Sequence, residues 1–444
     1  MNFTNFKFKN LDEVKAECES LGLNLHFSDD FETFKRKVKI NSITTPNSLA
    51  AHPMEGSDGN EDGSPGELTI RRNLRYARGG AGLIWFEAIA VVPEGRASKH
   101  QLMINRSNMD EFKRLLDSMR QEAKKANGDD FRPVIIAQLT HSGRFSRPKG
   151  FLEPVIGCHD PFLDAKYNVS PDAPIVTDEE LEALEDKFAE AALLAKEAGF
   201  DGVDLKACHK YLASELLGAF NREGRYGGSF EGRSRFLLNI VEKVRKAVGE
   251  DYIVGSRINV YDGISYPYGF GVDKEDVLKF DDREPLQLIG MLKEKGINII
   301  NITMGTPYFN PHVNRPFDKG GYVPDEHPLE GVARMVNGIG RMQKAYPDLP
   351  IVGTGYSWLR EFSPYLAAGS LENGYATLIG YGRVGLAYPD FAKDIIAGGL
   401  NRSKCCIACS KCSDLLRAGQ YAGCVVRDSE IYGKIYLDNM VKGK

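Results

Sequence analysis

The sequence predicts an α/β fold: a (β/α)8 TIM barrel over residues 38–398, preceded by a helical extension at 1–37 and followed by a cysteine-rich segment at 399–444. Three observations predict it. Short β-branched runs alternate with longer helical periods, the pattern of parallel βα units. The runs number eight with no long break, so the sheet is expected to close on itself, although the count alone also admits an open, doubly wound sheet. Glycine-bearing strand ends fall on the last two runs, where barrels grip anions through backbone N–H groups.

The extension is charged and weakly amphipathic, so it is expected to lie as a helix on the outside of the barrel. The eight runs are Ile40–Thr45, Gly82–Phe86, Pro133–Leu139, Gly202–Lys206, Tyr252–Ile258, Ile297–Thr303, Pro350–Thr354 and Tyr375–Ile379. The stretch 178–199 shows how the intervening helices are marked: Thr177 is placed as an N-cap and Gly199 as the terminator. Two connections, Ala88–Met109 and Thr140–Thr177, are long for βα loops, and the second carries five prolines. Excursions of that length cost chain entropy and add no core, so they are expected to shape a cleft. Beyond Ala397 the alternation stops, and the rest reads as a separate appendage.

A formal charge of −4 and an isoelectric point near 6.1 provide no broad basic surface, which sets aside nucleic acid and anionic membranes as partners. The N-terminus shows no leader-like apolar core and no run has the length of an apolar span, so a cytoplasmic protein is expected. Of eight cysteines, Cys405, Cys406, Cys409, Cys412 and Cys424 crowd into the last tenth of the chain. Disulfides would be spread more evenly, so the crowding points to a metal centre.

Four constellations carry chemistry. Gly353 and Gly355, with Gly382 and Arg383, mark the ends of runs seven and eight; glycine lets backbone approach an anion and arginine adds a forked donor. In GVDLKACHKYL, residues 202–212, strand alternation turns Asp204 and Lys206 to the barrel interior. Lys206, His209 and Tyr211 then converge at the mouth, two donors for a developing oxyanion and one phenol to deliver a proton. The polar run 221–236 is expected to clasp the loop after the fourth strand. Cys406, Cys409, Cys412 and Cys424, spaced C-x2-C-x2-C-x11-C, suit a [4Fe–4S] cluster, with zinc as the alternative.

In order along the chain, YARGGAGLIWFEAIAVVPEGR at 76–96, AQLTHSGR at 137–144, GVDLKACHKYL, NREGRYGGSFEGRSRF at 221–236 and GYGRVGLAYPDF at 380–391 make it resemble the old yellow enzyme family over residues 38–428. Within that family it is most similar to the 2,4-dienoyl-CoA reductase branch of flavin and iron–sulfur enzymes. The resemblance implies FMN at the barrel mouth and NAD(P)H as electron donor. It implies Thr45, Pro46, Asn47 and Ser48 against the flavin, Ala88 beneath the ring, Gln138 on its pyrimidine edge, and Arg257 near N1 and O2. Gly353, Gly355, Gly382 and Arg383 are to hold the phosphate, Tyr211 to protonate the α-carbon of an unsaturated carbonyl compound, and His209 to grip its oxygen.

Three departures stand out. Lys206 occupies the place of the family's first histidine, and as a cation beside Tyr211 it is expected to lower the phenol's pKa. The cysteine spacing is one residue shorter than the branch's, and the branch's FAD and NAD(P)H domains are not expected within these 444 residues, so a cluster is expected to need an electron-donor protein or to be structural or vestigial. The expected activity is that of an FMN-dependent ene-reductase. Its rivals are an amine dehydrogenase or demethylase of the trimethylamine dehydrogenase type, and a non-catalytic, metal-stabilised electron-transfer or binding subunit. A homo-oligomer is left open.

Overall fold

The computed structural model describes residues 3–442. Residues 38–45, expected to open the barrel, form a hairpin instead. Strands β1 (Val38–Ile40) and β2 (Ile43–Thr45) pair antiparallel, and Asn41 makes the turn at φ 52°. Asparagine enters that left-handed region more readily than most residues, because its side-chain amide bonds to local backbone. Val38, Ile40 and Ile43 plug the lower end of the barrel by packing on its interior.

The barrel proper starts later, with β3 (Leu49–Ala51). It continues through β4 (Leu83–Ala90), the short edge strand β5 (Leu102–Met103), β6 (Val134–Thr140), β7 (Gly202–Leu205), β8 (Ile253–Tyr261), β9 (Ile299–Met304), β10 (Ile351–Gly353) and β11 (Leu378–Tyr381). Parallel pairing runs β3-β11-β10-β9-β8-β7-β6-β4, and a β3–β4 ladder closes the ring. β5 hangs on the outer end of β4.

Leu83, Trp85, Ile136, Ile253, Ile299 and Leu378 fill the lower interior. One layer higher the filling turns polar. Asp204 accepts from Trp85 Nε1, Gln138 Nε2 and the Arg257 backbone N–H, each at 2.6 Å, and so ties β4, β6, β7 and β8 together. Burial pushes its carboxyl pKa up while those three bonds pull it down.

Outside, the helix Asp178–Ala198 has the capping box of Thr177 and Glu180 and ends on Gly199 at φ 100°. In the N-terminal extension Asn10 caps a helix, Leu11–Ser20, that buries Val14 and Cys18. Phe6 and Phe8 meet Trp358 edge to face. The cysteine-rich segment is not detached: Asp428 takes two bonds from Arg71 (2.7 and 3.0 Å) and one from Arg75 (2.5 Å), and the Ala422 N–H donates to the Gly56 carbonyl at 2.8 Å. Among the described residues no helix is long and apolar enough to cross a membrane.

Candidate active site

The C-terminal ends of the strands open into a cavity enclosing about 1300 Å3 of empty space, mouth included. His52 to Glu55 after β3, Ala88, Gln138 and Arg257 form its floor and inner wall; Lys206, His209, Tyr211, Tyr308 and Asn314 form one side. Arg315, Gly355, Gly382 and Arg383 form the other, and Cys412, Ser413, Leu416, Arg417 and Ala422 of the C-terminal segment cover the outside.

The arginine end is built for an anion. Arg383 is 9% exposed and donates one N–H to the Pro316 carbonyl at 3.0 Å, while its Nη1 is buried without a partner. Arg315 donates to the Ser413 hydroxyl, and its Nε is likewise unpartnered. Burial and the neighbouring Arg383 push the Arg315 pKa down to about 10. A buried Arg383 and a partly buried Arg315 whose Nε is enclosed, each held by a neutral oxygen, are costly until an anion lies against them. Gly355, at φ 105°, adopts a conformation that side-chain-bearing residues avoid, and a Cβ on Gly382 would lie 3.0 Å from Met54 Sδ. Gly353 does not line the cavity: a Cβ there would meet the Tyr356 hydroxyl and Ala376, so this glycine serves packing behind β10. Arg315 escaped the sequence reading because its loop after β9 carries no glycine pattern.

On the floor, the bond to Asp204 fixes the Gln138 amide, and Arg257, 9% exposed, has a buried Nε without a partner. His52 stands beside Asn301, and burial with the nearby Arg257 holds its pKa well below the usual imidazole value. Its ring fits only because residue 380 is glycine, where a Cβ would sit 1.7 Å from Nε2.

The catalytic candidates come together. His209 sits at φ 65° with its N–H on Asn259 Oδ1 (3.2 Å) and its Nε2 3.3 Å from the Asn314 amide nitrogen. That contact makes Nε2 the acceptor and leaves the ring proton on Nδ1. Burial, then Arg257 and Lys206, hold its pKa well below the ordinary value, so the imidazole is neutral. Tyr211 is 5% exposed and its hydroxyl lies 2.8 Å from that of Tyr308. Lys206 departs from expectation. Its Nζ sits over the face of the Tyr211 ring, 3.8 Å from the centroid, rather than beside the oxygen. Burial and Tyr308 therefore prevail, and the Tyr211 pKa goes well above 10 instead of falling.

One further expectation is corrected. Thr45, Pro46, Asn47 and Ser48 lie at the opposite end of the barrel from the cavity, because the hairpin displaces the first strand by several residues. Thr45 donates to the Asn47 carbonyl, Asn47 braces Gly80 and Gly82, and the Ser48 N–H donates to Phe34. His52, Pro53, Met54 and Glu55 hold the cavity positions instead. A cluster at the four thiols is not shown: among the described residues no group of three His, Cys, Asp or Glu side chains in a metal-holding arrangement is found, although Cys406 lies near Cys409 and Cys412, and Cys424 near Cys406 and Cys412. Ala408 and Ser410, both at positive φ, turn the chain on either side of Cys409, which sequence spacing does not register. The Cys406 and Cys424 sulfurs accept the Ala408 and Arg427 N–H groups (3.4 and 3.3 Å), and burial raises both thiol pKa values, Cys424 to about 11. Of the four, only Cys412 reaches the cavity wall.

A model of the NADH:flavin oxidoreductase / NADH oxidase family matches residues 36–401. The chain belongs to this family. It is 29% identical over 383 residues to an NADH oxidase of Thermoanaerobacter brockii, covering 84% of this chain and 52% of that one. It is 26% identical over 417 residues to an N,N-dimethylglycine/sarcosine dehydrogenase of Chromohalobacter salexigens, covering 89% and 53%. The chain thus spans about half the length of the curated relatives it matches. Among solved structures, a 2-naphthoyl-CoA reductase complex superposes with a TM-score of 0.71 at 22% identity, over 89% of this chain and 57% of that one, which shows the shared fold.

FMN, the flavin this family uses, fits the cavity on this chain's own residues. Unpartnered buried guanidinium nitrogens on Arg315 and Arg383 suit the phosphate, and the fixed Gln138 amide with the free Arg257 Nε suits a heterocycle's polar edge. Family membership and the construction of this pocket agree on FMN as its occupant.

Proposed function

We propose that the chain is an ene-reductase acting on an α,β-unsaturated carbonyl compound. Bound FMN supplies the hydride for the β-carbon, renewed from NAD(P)H, and the chain's residues handle everything else. The observation that carries the proposal is the Tyr211 hydroxyl, buried in the flavin cavity and held protonated. A phenol with a raised pKa is a proton donor at working pH, not a base, which is what the α-carbon needs. Neutral His209, with its proton on Nδ1, and the Lys206 amine, whose pKa burial lowers, over the Tyr211 ring are the N–H donors nearest the oxygen that gains charge as the hydride arrives.

The test is Tyr211→Phe on FMN-loaded protein with a panel of enones and NADH or NADPH. Alkene reduction should fall by about 100-fold or more, the usual share of a general acid, while flavin binding and reduction by the nucleotide persist. Wild-type turnover in the variant would remove the proposed acid.

A further inference from the structure

The loop that leaves β9 is fastened to both residues expected to handle the substrate. Gly305, at φ 66°, turns the chain at the strand end, where a Cβ would lie 2.8 Å from the Asn314 backbone nitrogen. Beyond it the buried Thr306 hydroxyl donates to the His209 carbonyl at 3.0 Å and accepts the Tyr308 N–H at 3.3 Å. The Asn314 amide reaches His209 Nε2 at 3.3 Å, the Thr303 hydroxyl at 3.1 Å and the Met304 carbonyl at 2.9 Å. Tyr308 stands between these ties, its hydroxyl 2.8 Å from that of Tyr211. Its ring is held as closely. Phe145 stacks on it with centroids 3.7 Å apart and planes 15° from parallel, and the Tyr167 hydroxyl donates to its carbonyl at 3.3 Å. The loops after β6, β7 and β9 thus meet on one phenol.

Tyr211 needs a partner there. Once it has given up its proton it is an anion on a side chain only 5% exposed. The Lys206 amine lies over the ring face, 3.8 Å from the centroid, and so does not meet the oxygen. Among the described residues, the Tyr308 hydroxyl is the one group within hydrogen-bonding distance of it. Either hydroxyl can donate in that pair while no substrate is present. When Tyr211 aims its O–H at a carbon atom, its oxygen can only accept from the other phenol, so Tyr308 becomes the donor.

We propose that Tyr308 is the positioning partner of Tyr211: by donating its O–H it turns the acid's proton toward the alkene, and it then holds the phenolate that remains. This rests on the ene-reductase reading. In the step, the Tyr211 O–H bond breaks and a bond from hydrogen to the α-carbon forms, on the electron pair that the arriving hydride has displaced onto the substrate. The phenolate, with the Tyr308 O–H against it, takes a proton back from water after the product leaves. Tyr308 itself loses no proton and acts only through Tyr211.

The experiment follows single turnovers of prereduced, FMN-loaded enzyme on whichever enone the panel shows to be reduced fastest. Tyr308→Phe keeps the ring and its stack on Phe145 and removes the hydroxyl alone. Its rate at saturating enone should fall about tenfold, the worth of one hydrogen bond to a developing charge, with the half-saturating concentration within about twofold of wild type. Replacing Tyr308 by 3-fluorotyrosine, a more acidic phenol and hence a stronger donor, should give at least the wild-type rate, a dependence that packing would not produce. In the Tyr211→Phe background, Tyr308→Phe should cost no more than about twofold, because the partner has no phenolate to hold. A wild-type rate in Tyr308→Phe overturns the pairing, as does a full tenfold loss in the Tyr211→Phe background or a fluorotyrosine enzyme as slow as Tyr308→Phe. Failure of the underlying reading looks different: Tyr211→Phe stays active, or no enone in the panel is reduced, and the pairing falls with it.

Discussion

Replacing Arg315 by methionine keeps most of the side chain's bulk and removes one of two guanidiniums that face each other at the anion end of the cavity. Arg315 is anchored by the Ser413 hydroxyl and offers a buried, unpartnered Nε. A charge-assisted hydrogen bond to a phosphate oxygen contributes about 1.5–3 kcal/mol, so losing it should raise the FMN dissociation constant by roughly 10- to 150-fold. Riboflavin, which has no phosphate, should bind the variant as it binds wild type, to within about twofold. The apo-protein should be no less stable, because the substitution relieves the like-charge contact with Arg383 that burial makes costly. Quenching of flavin fluorescence during titration reads both affinities, and thermal unfolding with and without FMN reads the rest; at fixed FMN the ligand's stabilising shift should shrink by about 1.5–3 kcal/mol. Equal losses for FMN and riboflavin would refute the reasoning, since they would mean that methionine disturbs packing around the flavin and that no phosphate contact was removed.

Gly380→Ala should destabilise the protein by about 1–3 kcal/mol, because its Cβ falls 1.7 Å from His52 Nε2 in a site with no slack. Adding His52→Ala should recover at least about 1 kcal/mol of that loss in urea unfolding, and additivity of the two changes would dismiss the clash. His141 accepts the Gly143 N–H at 3.0 Å through Nδ1, and burial lowers its pKa from 6.5 to about 4. Between those pH values the unfolded chain binds a proton that the folded chain refuses, so this residue's contribution falls as pH drops from 6.5 to about 4 and is flat below. The stability difference between wild type and His141→Asn, measured by urea unfolding at pH 7, 5.5 and 4, should therefore shrink toward acid; a difference independent of pH would show that His141 titrates normally.

Much of this was legible in the sequence, for reasons that also explain what was not. Strands β4, β6, β7, β8, β9, β10 and β11 each lie within a few residues of a β-branched run, because parallel strands buried on both faces leave a continuous apolar signature. Tyr211, His209, Lys206 and Arg383 line the cavity because they sit on or just past such runs, where strand direction carries side chains to the mouth, whereas Gln138 was reached only through the family resemblance. The first strand failed where two short pieces with the same composition followed each other. Val38–Ile40 and Ile43–Thr45 are as β-branched as a barrel strand, whereas Leu49–Ala51 is not, and the Asn41-Ser42 pair between them was the turn signal that went unread. That single shift carried Thr45 to Ser48 to the wrong end of the barrel and hid His52 and Glu55. The direction of the Tyr211 pKa also failed, because sequence order cannot say whether a lysine meets a ring face or an oxygen.

The C-terminal segment is where pattern and structure differ most in meaning. Its composition sets it apart from the barrel, yet it closes the site on the side that the βα loops leave open. Three attachments accomplish this: Asp428 on Arg71 and Arg75, the Ala422 N–H on the Gly56 carbonyl, and Ser413 under Arg315. The second fixes the backbone beside Glu55 and the third fixes a guanidinium of the anion end, so one stretch of chain braces both ends of the cavity. Its attachment points on the barrel are more than 350 residues away in sequence for Asp428 and Arg71. A closure made at that separation leaves no local periodicity, and only the folded geometry shows that the segment with the unusual cysteines is a wall of the flavin site.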